Sequence, residues 1–266
     1  MKNTTMLGAL VGDIVGAAYE FHNTKLMDFE LFPKGARFTD DSVMTLAVAK
    51  WLLEDERHSA DGLVRCMQEL GRKYPNAGYG GNFFRWLWQE NPQPYNSWGN
   101  GAGMRVSPVG LFATSLEEAL ELAEITASVS HNHPEGVKGA QAIAACVYLC
   151  KEGKSKQEIK GYVEKSFGYH LDRTIAEIRP NYSFDVSCQG SVPEAIIAFL
   201  EGETFEEVIR LAVSLGGDSD TIGAMAGAIA ACLYPIPQYI IDKCSEIMTP
   251  DLWEIQSRFL HMVENK

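Results

Sequence analysis

The sequence is poor in positive charge. Its 266 residues include 23 lysines and arginines against 35 aspartates and glutamates, which gives a formal net charge of −12 at pH 7. Nonspecific binding to nucleic acids or anionic membranes needs a basic surface, because phosphates or lipid headgroups must be neutralised. The composition therefore argues against that class of function, while a small polyanion can still bind locally through backbone N–H groups and a metal ion.

The sequence also lacks paired cysteine motifs and any unbroken apolar run. None of its six cysteines belongs to a CxxC pair, and most lie within apolar helical patterns, which is typical of buried free thiols. The longest uncharged stretch, 222–241, is interrupted by Pro235 and Pro237, and no charged-then-apolar signal segment opens the chain. We therefore expect a soluble protein of the reducing cytoplasm, with no membrane partner.

Strand signals are missing as well. The sequence has no convincing alternation of β-branched residues, no internal repeat of fixed period and no low-complexity linker. Apolar residues instead recur at helical spacing, as they do from Asp40 to Glu54. Ser/Thr-x-x-Glu patterns at Ser115, Ser155 and Thr204 predict capping boxes at helix starts. The sequence therefore predicts an all-α fold, with one domain over residues 1–266.

The features that are present concentrate in two short acidic clusters. One is Thr39-Asp40-Asp41-Ser42, and the other is Asp218-Ser219-Asp220-Thr221, which follows two glycines and opens a helix of small residues. Both offer only oxygen ligands, which Mg²⁺, Mn²⁺ and Ca²⁺ prefer. Each cluster could simply cap its helix, but capping needs one acid and each cluster has two. We therefore expect the two clusters to meet around hard cations.

The first predicted helix, Thr5–Phe21, adds further carboxylates. Glycines recur every four residues from Gly8 to Gly16, on one face, so a neighbouring backbone can approach closely there. Asp13 and Glu20 are seven residues apart and also share a face. We interpret Asp13 as a buried structural acid. Glu20, at the helix end, is placed to reach a metal.

A glycine-rich segment, Gly99–Arg105, is the next candidate. Such segments entering a helix expose backbone N–H groups to anions. This one lacks the P-loop pattern, and no strand precedes it as a dinucleotide fingerprint requires, so spacing alone favours a plain loop.

His131 and His133 could bind zinc, but no third ligand has suitable spacing, and a histidine that lines a pocket is favoured. Tyr182 either stacks on a base or closes the surface.

Two known acidic motifs do not fit. Counted from Asp218, an EF-hand would need oxygen ligands at Ile222 and Ile229. A DDxxD motif of the prenyl-diphosphate type would need a third acid at Met44. Two converging oxygen clusters would instead hold two ions close together, a device that orients hydroxyls and activates water. Such a site suits hydrolysis of a sugar or phosphate ester with neighbouring hydroxyls.

Five motifs, in order along the chain, then resemble one known family. They are Gly8–Asp13 continued to Glu20, Phe38–Ser42, Gly99–Arg105, Ser130-His131 with Pro134, and Gly216–Gly223. The pattern is similar to the ADP-ribosylglycohydrolases, which include the dinitrogenase-reductase-activating glycohydrolase and the related lens crystallin J1. The resemblance covers most of the chain. It implies an all-α orthogonal bundle with a two-Mg²⁺ cleft that cleaves the N- or O-glycosidic bond between ADP-ribose and a modified protein or small conjugate.

The resemblance also implies a role for each matching residue. The metal ligands would be Thr39, Asp40, Asp41, Asp218, Asp220 and Thr221, with Mn²⁺ as a possible substitute for Mg²⁺. The substrate-binding residues would be Asn100, Gly101, Ala102, Gly103 and Met104 at the diphosphate and distal ribose, His131 at the distal ribose and Tyr182 at the adenine. Glu20, at the gate, and Asp41, which would polarise the attacking water, are the catalytic candidates. Arg105 would brace the loop through a buried ion pair.

Two other functions stay open at this stage. One is a catalytically silent protein that binds ADP-ribose or is purely structural, as the crystallin relative shows the scaffold can be. The other is a metal-dependent phosphohydrolase on a helical scaffold. The sequence does not distinguish arginine, serine, acetyl-ester and nucleic-acid linkages, nor does it predict an oligomeric state.

Overall fold

Helices account for the regular structure of this chain. The structure, a computed structural model, describes residues 5–266, so the first four positions of the predicted domain lie outside the described residues. Within this range there are fifteen helices, one isolated β-bridge between Gly99 and Ser187, and no extended strand. The predicted all-α fold is confirmed, whereas its organisation as one domain stays a prediction.

Most of the helices follow one another with short connections, but longer irregular segments cover residues 18–39, 88–100 and 179–187. The helices are α1 (Leu7–Ala17), α2 (Asp40–Glu54), α3 (Ala60–Lys73), α4 (Gly81–Leu87), α5 (Gly101–Met104), α6 (Ser107–Phe112), α7 (Leu116–Ser128), α8 (Pro134–Lys151), α9 (Lys156–Phe167), α10 (Ile175–Ile178), α11 (Cys188–Glu201), α12 (Phe205–Ser214), α13 (Ser219–Leu233), α14 (Gln238–Ile247) and α15 (Pro250–Glu264).

Helices α1 and α13 pack backbone against backbone at the centre of the bundle. A Cβ atom added to Gly8, Gly12 or Gly16 would lie 2.1, 2.0 or 2.2 Å from the carbonyl oxygens of Gly227, Gly223 and Ser219 respectively. No side chain fits in that space, so only glycine permits the approach. Helix α13 is buried from Ser219 to Ala231, which makes it the central helix. The predicted close approach on the glycine face is confirmed.

Helix α1 is shorter than predicted, because it ends at Ala17 and not at Phe21. The side chain of Asn23 turns back and donates hydrogen bonds to the carbonyl oxygens of Tyr19 and Glu20, at 2.8 and 2.7 Å. These bonds stabilise a turn where the sequence pattern predicts another helical turn. Glu20 therefore lies in this turn, and Asn23 also binds the N–H of Gly217 at 2.8 Å, which ties the turn to the start of α13.

Asp13 ties α1 to the start of α2. Its carboxylate is fully buried and accepts hydrogen bonds from the N–H and hydroxyl of Thr39, at 2.9 and 2.6 Å, and from the N–H of Ser42 at 3.0 Å. The Ser42 hydroxyl is a fourth donor. Burial raises the pKa of Asp13, and these hydrogen bonds oppose that shift. Our interpretation of Asp13 as a buried structural acid is confirmed.

The predicted helix starts are present, with one difference in detail. Ser155 forms a complete capping box with Glu158. Ser115 and Thr204 cap α7 and α12 as predicted, but the glutamate three residues later accepts from the N–H of the residue that precedes the cap.

All six cysteines are free and five of them are buried, as expected. Within the described part of the chain, none of the helices combines the length and hydropathy that crossing a membrane requires.

We predict that Gly12→Ala lowers the free energy of unfolding by about 1–3 kcal/mol, because the new methyl group must push α1 away from α13. Urea denaturation followed by circular dichroism measures this. Gly161→Ala in α9 is a matched control, since a Cβ there meets no atom within 4 Å. It should raise the free energy of unfolding by about 0.5–1 kcal/mol through helix propensity. Equal stability of Gly12→Ala and the wild type would contradict the proposed packing constraint.

Candidate active site

One cavity of about 410 Å³ opens where the starts of α2, α5 and α13 face the turn after α1. Eleven of the residues predicted to bind metal, bind substrate or act in catalysis line it, namely Glu20, Thr39, Asp40, Asp41, Asn100, Gly101, Met104, His131, Asp218, Asp220 and Thr221. Ala102 and Gly103 are buried in α5 and do not belong to the cavity wall. Tyr182 does not belong to it either. The cavity therefore brings together all six predicted metal ligands, both catalytic candidates and four of the seven predicted substrate-binding residues.

The two acidic clusters face one another across this cavity. The Thr221 hydroxyl donates a hydrogen bond of 3.3 Å to Asp41 Oδ2, although the two residues are 180 positions apart. Glu20, Asp218 and Asp220 each place one carboxylate oxygen within 4.8 Å of the others. The clusters therefore meet, as the sequence predicts.

Burial and mutual repulsion shift the acids at the cavity. Burial, followed by the charge of Asp218, raises the pKa of Glu20 to about 7, although Arg37 opposes the shift. Burial, followed by the charge of Asp13, also raises the pKa of Asp40 to about 7. Each shift has the sign expected for carboxylates that are withdrawn from water and placed beside like charges. Their ionised forms need positive counter-charge.

The same cluster fits a hard divalent cation. Burial raises the pKa of Asp218, and it raises those of Asp41 and Asp220 well above the ordinary value. Asp41 Oδ1 is buried and has no hydrogen-bond partner, which is costly for a carboxylate oxygen unless another group binds it. Carboxylate and hydroxyl oxygens that converge in this way are the ligands that Mg²⁺ and Mn²⁺ prefer. The cluster can therefore hold a metal ion.

The glycine-rich loop is joined to the acids by one side chain. Asn100 Nδ2 donates to Asp218 Oδ2 at 2.6 Å, while the Asn100 N–H donates to the carbonyl of Val186 at 2.8 Å. The N–H groups of Ala102, Gly103 and Met104 also donate hydrogen bonds to backbone carbonyls of the loop. In the stretch 100–104 only the Gly101 N–H is left for a ligand. The loop therefore offers a bound diphosphate fewer backbone donors than its glycine content indicates.

His131 lies on the cavity wall in an aromatic surround. Its ring centroid is 5.5 Å from that of Tyr95 and 6.3 Å from that of Phe83. Burial, followed by the nearby Arg105 cation, lowers the pKa of His131 well below its ordinary value, so the imidazole is neutral at pH 7. His133 instead caps α8, because its Nδ1 accepts from the N–H of Glu135 at 3.1 Å. His133 therefore has a structural role at the start of α8.

Arg105 does not form the buried ion pair that we expected. Its guanidinium is fully buried and donates to the carbonyl of Thr126 at 2.7 Å and to the Ser130 hydroxyl at 2.8 Å. Among the described residues no carboxylate lies within ion-pair distance of it. Thr126 is in the last turn of α7, where unpaired carbonyls carry partial negative charge, and this turn takes the place of the missing acid. The guanidinium also lies over the Phe83 ring, at 5.6 Å from its centroid.

Tyr182 lies behind the cavity. Its hydroxyl donates to the Gly190 carbonyl at 2.7 Å, and its ring packs against the backbone of Gly217. The side chain is half-buried and does not line the cavity, and its contact with adenine stays a prediction. Two neighbours line the cavity instead: Phe184 and Val186, which are 50% and 51% exposed.

Sequence reasoning missed the aromatic part of the wall. Phe83 lies on α4, which begins at Gly81, and the glycines at 78, 80 and 81 are residues more typical of a turn than of a helix start. The buried side chains of Phe83, Trp86 and Leu87 fall at helical spacing, and this spacing was the available signal for α4.

Comparisons with known proteins agree with this geometry. A family model described as ADP-ribosylglycohydrolase matches residues 4–266. ADP-ribosylhydrolase ARH3 of Mus musculus is 28% identical, over 88% of this chain and 83% of the relative. ADP-ribosylarginine hydrolase Tri1 of Pseudomonas putida (strain GB-1) is 27% identical, over 87% of this chain and 70% of the relative.

A solved structure described as an ADP-ribosylglycohydrolase-related protein complex has the same fold. Its TM-score is 0.76 at 24% identity, and the match covers 99% of this chain and 96% of that chain. The family model spans the described residues from end to end, and the resemblance noted from the five motifs is thereby confirmed. The chain belongs to the ADP-ribosylglycohydrolase family of enzymes.

Proposed function

We propose that this protein removes ADP-ribose from a modified protein or small conjugate, by hydrolysing the N- or O-glycosidic bond at C1 of the distal ribose. The observation that carries the proposal is the meeting of the two acidic clusters with Glu20 at a single cavity. The names of the relatives, which describe an ADP-ribosylhydrolase and an ADP-ribosylarginine hydrolase, support the same reaction class.

We further propose two Mg²⁺ ions as the cofactor, for which Mn²⁺ can substitute. The ligands in this proposal are Thr39, Asp40, Asp41, Asp218, Asp220 and Thr221. Bound ions of this kind orient the neighbouring hydroxyls of a ribose and activate a water molecule. The crowding of buried carboxylates and the unpartnered Asp41 Oδ1 support this cofactor assignment.

Glu20 and Asp41 are the residues that we assign to proton transfer. Glu20 is partly exposed at the cavity, and a pKa of about 7 suits a group that must both hold and release a proton near neutral pH. It can donate a proton to the departing acceptor atom. Asp41 lines the cavity, and we assign it to polarise the attacking water and take up its proton. The surrounding carboxylates stabilise positive charge on the ribose ring as the bond breaks.

The part of the cavity wall that adjoins the glycine-rich loop is assigned to the ADP-ribose itself. Asn100, Gly101, Met104 and His131 line the cavity and contact the ligand in this proposal. Ala102 and Gly103 act indirectly, because their burial in α5 fixes the shape of that wall.

The reaction is tested by incubating the protein with ADP-ribose linked to arginine, serine, an acetyl ester and a nucleic-acid phosphate, each with Mg²⁺ and with excess EDTA. Mass spectrometry should find free ADP-ribose from at least one substrate, and EDTA should abolish its release. AMP or phosphate as the product would instead support a phosphohydrolase. ADP-ribose binding in titration calorimetry without turnover of any substrate would support a silent binding protein. Full activity after exhaustive chelation would contradict the metal assignment.

We predict that Glu20→Gln lowers kcat by about 10²–10⁴-fold, because the amide cannot transfer the proton. The affinity for ADP-ribose, measured by titration calorimetry, should change much less. Asp28→Asn, at an exposed position outside the cavity, is the matched control and should keep wild-type kcat. A kcat for Glu20→Gln within about threefold of the wild type would remove Glu20 from the mechanism.

We also predict that the metal-free protein loses stability as pH rises. The folded state holds protons on Glu20 and Asp40 up to about pH 7, whereas unfolded carboxyl groups release them near pH 4. The folded state therefore binds more protons between these values, and the free energy of unfolding falls as pH rises through about 7. Thermal unfolding in EDTA from about pH 5 to pH 8 should show this fall, and Mg²⁺ should reverse it at the higher pH.

Asp40→Asn and Asp28→Asn separate the local effect from general charge effects. The first variant removes one of the two acids whose pKa is raised to about 7, so its midpoint in EDTA should fall less with pH and rise less with Mg²⁺. The second should behave as the wild type does. Identical pH profiles for all three proteins would show that burial does not raise the pKa of Asp40.

A further inference from the structure

Three buried polar side chains are joined by hydrogen bonds at the cavity wall. Arg105 and Ser130 are fully buried, and His131 is 6% exposed. Arg105 Nη2 lies 2.8 Å from the Ser130 hydroxyl oxygen, which lies 2.8 Å from His131 Nδ1. Arg105 is held from behind by its bond to the Thr126 carbonyl. These hydrogen bonds connect a fixed cation to an imidazole that lines the cavity, and we call Arg105, Ser130 and His131 the relay.

The direction of each hydrogen bond follows from counting protons. A guanidinium can only donate, so Ser130 accepts from Arg105. The Ser130 hydroxyl has one proton of its own, and its only other partner among the described residues is His131 Nδ1. If Nδ1 carried a proton, the serine proton would have no acceptor at a fully buried position, which is unfavourable. Ser130 therefore donates to Nδ1, and the proton of the neutral imidazole is on Nε2.

The surroundings of His131 keep this state in place. Burial and then the Arg105 cation disfavour protonation of the ring, and burial lowers the pKa of Arg105 only to about 10, so it is still charged at neutral pH. Phe83 and Tyr95 pack around the ring and restrict its rotation. A doubly protonated ring would also lose the acceptor that Ser130 needs.

Nε2 lies against the glycine-rich loop. It is the nearest atom to a Cβ added at Gly101, at 3.1 Å, and lies 3.5 Å from a Cβ added at Gly99. Both glycines line the cavity with His131. No described protein atom accepts a hydrogen bond from Nε2, so its N–H is available to a ligand beside this loop.

We propose that Arg105 and Ser130 are positioning residues that hold His131 as the neutral Nε2–H tautomer. The cavity wall then presents a permanent uncharged donor beside the loop. A ligand hydroxyl that meets it must accept, so its own proton points away from the wall and is free for a carboxylate of the acidic clusters. Within the proposed function, on which this step rests, the relay orients a hydroxyl or phosphate oxygen of ADP-ribose.

The tautomer is measured directly in the ligand-free protein. Long-range ¹H–¹⁵N spectra of ¹⁵N-histidine-labelled protein at neutral pH should give His131 an unprotonated Nδ1 and a protonated Nε2. A His131→Gln spectrum assigns the signals. An Nδ1–H tautomer, or a doubly protonated ring, would overturn the proposal. This outcome does not depend on any hydrolytic activity, so it is distinct from failure of the proposed function.

Ser130→Ala tests the relay itself. Without the hydroxyl the His131 signals should shift to a mixture of tautomers, and ADP-ribose should bind about tenfold more weakly in titration calorimetry. Ser191→Ala removes an equally buried hydroxyl, which donates to the Ser187 carbonyl at 2.7 Å outside the cavity. This control should leave both readouts unchanged. Wild-type His131 signals in Ser130→Ala would show that the serine does not set the tautomer.

Discussion

The backbone contact between α1 and α13 is the constraint on which the site depends. Carbonyl oxygens of α13 occupy the space where side chains of α1 would otherwise lie, at each of three successive helical turns. This contact fixes the distance between the turn that carries Glu20 and the start of α13 that carries Asp218 and Asp220. Asp13, on the same helix, then positions the start of α2 through four hydrogen bonds. The acids are thus held together by packing elsewhere, against their own repulsion.

That arrangement explains why the cavity combines rigidity with unfavourable electrostatics. Isolated buried carboxylates would become neutral or move towards water. Here the backbone contact and the Asp13 network prevent movement, and burial, followed by the neighbouring charges, raises the pKa of these carboxyl groups. A cluster of buried carboxylates adds nothing to packing stability, and its presence supports the proposal that the cavity binds cations. In the proposed function, a bound cation offsets this unfavourable charge.

Much of this could be predicted from the sequence because the signals are local. Paired acids at helix starts predict a cluster of oxygen ligands. Glycines at four-residue spacing predict close packing between helices. The end of α1 could not be predicted, because it depends on the side chain of Asn23 folding back onto two carbonyls. The partner of Arg105 could not be predicted either. Its ligands are a carbonyl and a hydroxyl on α7 and the residues after it, and no charge pattern marks such groups.

The short bond from Asn100 to Asp218 has a consequence for how the two halves of the cavity communicate. A hydrogen bond to a carboxylate is stronger when the carboxylate is ionised. Any event that alters the charge density on Asp218 therefore also alters how firmly the glycine-rich loop is held. Binding of a ligand or ion at Asp218 and the order of the glycine-rich loop are therefore thermodynamically linked. The linkage acts equally in both directions. The amide of Asn100 is the group through which this linkage acts.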